Sequence, residues 1–238
     1  MRISFNEVGD KARKYKNQII KKVEKIAKRG IFLNGEENKK LLKNLKRFYK
    51  NSYITLTASG HDSILIALRS LNLKKTDEVI FPVNSYPTAF PVFLSGAKPV
   101  PVDCDENGLI DPKEVAKKIS KNTRAIVVVH LYGMVVDMDE LKKIVGRRKI
   151  TLIEDCAQAF GSLYKNKYVG NFADIACFSF YPTKNLATLG DGGALITKHK
   201  KLHNFFQKAV SYGEIKSYRS HFVSGHSRLP EIQAGVLN

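Results

Sequence analysis

The sequence has no apolar run near the ~18 residues that a membrane helix needs; the best stretch is Ala125 to Leu131. Its first residues, MRISFNEVGDKARKYK, hold no apolar segment of the secretory type, which argues against a signal peptide. Cysteine is scarce. Cys104, Cys156 and Cys177 are odd in number and lack CxxC spacing, so neither a disulfide framework nor a zinc site is expected, and no metal is assigned. Internal repeats and low-complexity segments are missing too. Together these point to a soluble, reduced, cytoplasmic protein with no membrane partner.

Carboxylates are also in short supply: 22 Asp+Glu face 40 Lys+Arg in 238 residues, a net charge of +18. Residues 1–50 carry 16 Lys+Arg and 5 Asp+Glu, a net of +11, and the rest of the chain only +7. A basic arm can bind nucleic acid or an anionic membrane surface. No aromatic interleaving or nucleic-acid-binding signature accompanies these lysines, so solvated helix faces are the favoured reading. What is present is an apolar content of 43%, enough for an ordinary core in one large domain or two small ones.

Residues 10–29 read as an amphipathic helix, capped by Asp10, ended by Gly30, with a stripe of Ile19, Val23 and Ile26. A turn at Asn34-Gly35 leads to a second helix over 36–50, with Leu41, Leu45 and Phe48 at helical spacing. From Tyr53 the pattern changes to apolar, β-branched runs alternating with helical stretches. Strands are expected at Tyr53–Ala58, Glu78–Pro82, Lys98–Asp103, Arg124–Leu131, Lys149–Asp155, Asp174–Phe180 and Gly193–Thr197. Helices are expected from Ser59, from about Pro87, after Asp111-Pro112, over Met138–Val145, and from about Lys200 to Tyr212. This alternation predicts an α/β fold with a mostly parallel seven-stranded sheet flanked by helices. The last segment, SRLPEIQAGVLN, reads as an amphipathic helix that stops without a cap, and the expectation is that sequence is missing beyond it.

In such sheets, ligands sit beyond the carboxyl ends of the strands. The polar groups there are Ser59-Gly60-His61, Asn84-Ser85-Tyr86, His130, Glu154-Asp155 and Ser179 to Lys184. Lys184 stands apart from the other 29 lysines, in a short, largely uncharged stretch between two strands. A neutral amine forms a Schiff base with an aldehyde, and apolar surroundings favour neutral amines. Pyridoxal phosphate needs such a lysine, a carboxylate for its ring nitrogen, a phosphate cradle and a flat partner for its ring. Asp155, the Ser59-Gly60-His61 helix start with Ser179, and Tyr86 are candidates, and Gln158 is placed to reach the ring hydroxyl. Plainer roles stay open: Asp155 as a helix cap, Ser59 as an N-cap only, Tyr86 as core.

Six stretches in this order, SGHDSILIAL, GAKPVPVD, VVVHLYG, IEDCAQAFGS, DIACFSFYPTKNLATLGDGGALIT and SRLPEIQAG, resemble the DegT/DnrJ/StrS type of aminotransferase. These are pyridoxal-phosphate-dependent enzymes of fold type I that act mainly on keto-sugars linked to nucleotides. The resemblance runs from about Phe32 to the end and is most specific from Glu154 to Thr197. It implies a fold type I large domain with the small C-terminal domain largely absent. The domain division expected is a helical arm over 1–50, a cofactor-binding domain over 51–222, and the start of a further domain over 223–238.

The resemblance makes Lys184 the Schiff-base lysine and Asp155 the partner of the pyridine nitrogen. It makes Gln158 the contact to the ring hydroxyl, Tyr86 the stacking aromatic, and Gly60, His61 and Ser179 the phosphate site. The family usually has Thr at the position of His61. It usually has Asn at the position of His226, a residue that reaches across a homodimer to the partner's cofactor phosphate. The activity implied is transfer of an amino group from glutamate or glutamine to a keto-sugar, in sugar or surface-polysaccharide biosynthesis. Some members carry histidine in place of the lysine and act as dehydratases, so Lys184 favours transamination. Two other readings stand beside it: a split-gene subunit inactive without a separate C-terminal chain, and a basic nucleic-acid-binding or regulatory protein on the same fold.

Overall fold

The computed structural model describes residues 8–238, apart from the side chain of Lys11. Three helices come first: α1 (Val8–Lys14), α2 (Lys16–Arg29) and α3 (Glu36–Leu45). The alternating region follows with β1 (Tyr53–Thr57), α4 (Gly60–Arg69), β2 (Glu78–Pro82), α5 (Tyr86–Leu94) and β3 (Lys98–Val102). It continues through α6 (Pro112–Lys118), β4 (Thr123–Val129), α7 (Met138–Val145) and β5 (Thr151–Asp155). A short hairpin of β6 (Leu163–Tyr164) and β7 (Lys167–Tyr168) precedes β8 (Ile175–Ser179) and β9 (Gly193–Thr197). The chain then runs through α8 (Lys200–Ala209), a hairpin of β10 (Glu214–Lys216) and β11 (Arg219–Ser220), and α9 (Glu231–Leu237).

Seven strands form one sheet in the order β1-β9-β8-β5-β4-β2-β3. Strands β3, β2, β4, β5 and β8 pair in parallel. Strand β9 runs against both β8 and β1, so it is the reversed strand of a mostly parallel sheet. The seven expected strands are these seven. Alternate residues face opposite sides, as the pleat requires. Val79, Phe81, Val127, Ile153, Ile175 and Leu195 pack with α4, α5 and α8 through Ile64, Leu68, Val92 and Phe206. Ile80, Ile126, Val128 and Leu152 face α6 and α7 through Val115, Met138 and Leu141. On that second side of the neighbouring strands, Ile54, Phe178 and Ile196 pack with Leu41 and Leu45 of α3 and Ala234 of α9.

The sequence signals at helix ends hold at several places. The Ser59 Oγ accepts the Asp62 N–H at the start of α4, and Asp111 Oδ1 accepts the Lys113 N–H beside Pro112. Gly30 takes a left-handed φ of 67° and closes α2. The single helix expected over 10–29 is two, broken at Tyr15, and Asp10 lies inside α1 rather than capping it. The apolar stripe on α2 is buried at Ile26, while Val23 and Ile20 stay exposed. Helix α8 ends at Ala209, short of the expected Tyr212, where a left-handed backbone turns the chain away. The two hairpins have strands of two or three residues, too short for a periodic signal. The three cysteines are free, and among the described residues no helix is long and apolar enough to cross a membrane.

Candidate active site

The six strands that run in one direction end on the same edge of the sheet, and the candidate residues cluster there. The residue pairs Thr57↔Gly193 and Ser179↔Gly193 bring the ends of β1 and β8 to the start of β9. Helix α4 opens directly above. A Cβ on Gly60 would sit 2.6 Å from the Cβ of Ser179, so only glycine lets the helix start come this close to β8. Gly193 is equally confined, since its Cβ would lie 2.5 Å from the carbonyl oxygen of Ser59. Ser59 spends its side chain on the Asp62 N–H. The first amides of α4, those of Gly60 and His61, have no partner inside the helix and point along the positive end of its dipole. The Ser179 Oγ accepts the Tyr181 N–H at 3.3 Å, which leaves its own proton free to donate. This corner is a cradle of donors that a Cβ would fill, and it suits a phosphate.

Asp155 lies at the end of β5, only 4% exposed. By strand alternation its side chain shares the α4 and α5 side with Ile153. Its Oδ1 accepts the Ala157 N–H at 3.0 Å, and its Oδ2 accepts the Thr88 hydroxyl at 2.6 Å. Burial pushes the Asp155 carboxyl above the ordinary carboxylate value. The Thr88 and Ala157 hydrogen bonds oppose this, as do the charges of Lys184 and His130. Asp155 is thus partly a turn cap, but its second oxygen belongs to a contact between two distant elements.

Lys184 is half-buried on the loop between β8 and β9. Its N–H bonds the Tyr181 carbonyl at 2.9 Å, and Asn185 Nδ2 holds the Phe160 carbonyl at 3.2 Å. The far end of the loop is tied to α9, where the Thr188 hydroxyl donates to Gln233 Oε1 at 2.5 Å. Tyr86 is 74% exposed at the start of α5, edge-on to Phe90, so it is not core. Gln158 Oε1 accepts the Tyr132 N–H at 3.1 Å, which leaves the Gln158 amide group as a donor.

His226 is exposed, its ring 5.3 Å from that of Tyr212. The next residue anchors this segment at the start of α4: the Ser227 Oγ accepts the Ala58 N–H and donates to Asp62 Oδ2. His130 and Glu154, also at strand ends, do not open to the edge. Both are fully buried and face each other at 3.1 Å.

Three residues escaped the sequence reading. Thr88 was reachable in principle, three residues after Ser85 at a strand end. Gln233 holds the lysine loop. Glu231 accepts the N–H groups of Gly35, Glu37 and Asn38 at 2.8–2.9 Å and so caps α3 from the other end of the chain. No local pattern announces the last two, because their partners lie 45 or more residues away.

The sequence profile of the DegT/DnrJ/EryC1/StrS aminotransferase family matches residues 13–238. The chain belongs to this family. The match reaches further toward the N-terminus than the six stretches do. One curated member, a dTDP-3-amino-3,4,6-trideoxy-alpha-D-glucose transaminase of Streptomyces venezuelae, is 36% identical over 217 residues. That alignment covers 90% of this chain and 57% of the relative. The crystal structure of S. venezuelae DesV in complex with a ketimine intermediate superposes with a TM-score of 0.94 at 34% identity. It covers 99% of this chain and 64% of that one. NtdA from Bacillus subtilis, with the bound cofactor PMP, superposes at 0.91 and 30% identity, covering 99% of this chain and 55% of its own. This DegT/DnrJ/EryC1/StrS chain therefore has the fold of pyridoxal-type aminotransferases and spans about three-fifths of the length of these relatives.

Proposed function

We propose that this chain is a pyridoxal-phosphate-dependent aminotransferase that passes an amino group from glutamate or glutamine to a nucleotide-linked keto-sugar. One observation carries the reading. A buried carboxylate that feels the charge of Lys184, a helix start pressed against a serine hydroxyl, and an exposed tyrosine all lie on one edge of the sheet. The donor set suits the cofactor: amides and a hydroxyl for a phosphate, a carboxylate for a ring nitrogen, a lysine for an aldehyde.

Pyridoxal phosphate, when bound, supplies the aldehyde that Lys184 engages and a ring that accepts electrons when a carbon beside it loses a proton. Gly60, His61 and Ser179 would hold the phosphate. Asp155 would keep a proton on the ring nitrogen, and the free amide of Gln158 would hold the ring hydroxyl. Tyr86 would cover one ring face. Lys184 Nζ would carry the proton between the two reacting carbons. The dTDP-sugar transaminase named above supports the sugar substrate, and the PMP-bound NtdA supports the cofactor. The three free cysteines fit a cytoplasmic location.

A homodimer is part of the proposal. Tyr86, Phe90, Phe93 and Leu94 of α5 are all exposed, an apolar face suited to burial against a second copy. His226 would then serve the partner's phosphate.

The test is the visible absorption spectrum of the chain with added pyridoxal phosphate, beside Lys184→Ala. The expected result is a band in the parent, absent in the variant and bleached by glutamate. No band in either protein would overturn the cofactor reading for this chain. A band that forms but drives no turnover of a nucleotide-linked keto-sugar would overturn the claim that this chain alone is active.

A further inference from the structure

We propose that Thr88, backed by Ser85, is the positioning residue for Asp155: it fixes the plane of the carboxylate and donates the hydrogen bond that favours its charged form. This rests on the cofactor reading above and adds a residue that the reading does not use.

The argument starts from proton counting. Thr88 is fully buried, and Ser85 and Asp155 nearly so. The Thr88 Oγ1 lies 2.6 Å from Asp155 Oδ2 and 2.7 Å from the Ser85 Oγ. A hydroxyl carries one proton, and an ionised carboxylate only accepts. Thr88 must therefore donate to Asp155, and Ser85 must donate to Thr88. The chain Ser85 to Thr88 to Asp155 has one direction as long as Asp155 is charged.

Two oxygens of one carboxylate are thus held by two different parts of the fold. Oδ1 is held by the turn after β5, through the Ala157 N–H. Oδ2 is held by α5, the helix that also presents Tyr86. A carboxylate pinned at both oxygens by separate elements cannot rotate about its last bond without breaking one of them.

The energetics agree. Burial is the largest influence on Asp155 and works against its charge, and the Thr88 hydrogen bond is the largest of those opposing it. The ionisable groups that also act on Asp155 are Lys184 and His130, and the buried thiols of Cys156 and Cys177 feel its charge in turn. None of these touches an Asp155 oxygen as Thr88 does. Without the Thr88 hydroxyl, a carboxyl in this setting gains a proton more readily. A neutral carboxyl no longer offers the anion that would hold a cationic ring nitrogen.

The experiment compares the parent, Thr88→Val, Thr88→Ser and Ser85→Ala. Each is loaded with pyridoxal phosphate labelled with 15N in the ring. The readouts are the dissociation constant of the cofactor and the ring-nitrogen chemical shift, with circular dichroism to confirm folding. Thr88→Val keeps the shape and removes the donor. It is expected to weaken cofactor binding about ten- to hundredfold, the range for a hydrogen bond to a charged group, and to move the nitrogen signal toward unprotonated pyridine. Thr88→Ser should stay within about threefold of the parent, and Ser85→Ala should move the same way as Thr88→Val by less. A folded Thr88→Val with the parent's affinity and nitrogen signal would overturn the proposal and leave Thr88 as packing. Should Thr88→Val not fold, an unchanged nitrogen signal in Ser85→Ala would overturn it equally. A parent that binds no cofactor would remove the cofactor reading itself, and this inference with it.

Discussion

The two sides of the sheet treat neighbouring carboxylates in opposite ways. Glu154 and Asp155 are consecutive on β5 and both are buried, yet the pleat sends them to different faces. Glu154 meets four donors. Its Oε2 takes the Gly170 N–H at 2.7 Å and faces His130 Nε2 at 3.1 Å, and its Oε1 takes the N–H groups of Phe172 and Ala173. The Val136 N–H donates to His130 Nδ1 at 3.3 Å, so the proton of a neutral His130 ring sits on Nε2, toward Glu154. Burial raises the Glu154 carboxyl, but the His130 contact and the amide bonds outweigh it and hold it below the ordinary range. Asp155 has two donors, and there burial prevails. One side has invested in a permanent anion. The other keeps an under-satisfied carboxylate facing the edge where the cofactor is proposed to bind, the pattern of a functional group.

Glu154→Gln should break this contrast most severely. Every partner of Glu154 is a donor, so an amide NH2 group must face at least one of them with nothing to accept. A loss of about 1–3 kcal/mol is expected, the scale for leaving a buried donor without an acceptor, and it would be read from urea denaturation midpoints.

Asp155→Asn should act with the opposite sign. The amide oxygen can accept from the Ala157 N–H, and the Ser85–Thr88 pair can reverse so that Thr88 accepts from the new NH2 group. No charge then has to be buried. A gain of about 0.5–2 kcal/mol at neutral pH is expected, with cofactor loading impaired, the trade seen where a site is kept strained for function. If Asp155→Asn destabilises as much as Glu154→Gln does, the two sides are equivalent and the contrast fails.

The smallest effect is the pH dependence of these differences. The Glu154 carboxyl is lowered by folding. Its contribution is complete above its ordinary value of 4.5 and disappears as pH falls through the lower folded value. The Asp155 carboxyl is raised by folding, so its ionisation costs stability as pH rises from 3.8 through the higher folded value. On acidification, the parent should lose its advantage over Glu154→Gln, and Asp155→Asn should lose its advantage over the parent. Denaturation midpoints of the three proteins, followed from neutral pH into the acid range, check both signs at once. Gaps that hold constant with pH would show that neither carboxylate changes its proton affinity on folding.

The sequence alone determined the sheet and the edge on which the candidate residues collect. Apolar runs bounded by turns have a local cause, so all seven strands of the sheet and the caps at Ser59 and Asp111 were legible. The strand-end rule then gathered Ser59-Gly60-His61, Asn84-Ser85-Tyr86, His130, Glu154-Asp155 and Ser179 to Lys184, and the needs of the cofactor picked Asp155, Ser179, Tyr86 and Lys184 from among them. The family resemblance added His226, which spacing alone would not have chosen. The sequence could not tell that folding shifts Glu154 and Asp155 in opposite directions, because burial and hydrogen-bond partners come from loops and helices far along the chain. Only the tertiary structure decided that β9 runs in reverse, and that α9 locks the lysine loop through Gln233 and caps α3 through Glu231. It also decided that Thr88 closes on Asp155 across 67 residues. Periodicity reports which way a side chain faces, whereas a carboxylate's charge is set by the donors that the whole fold brings to it.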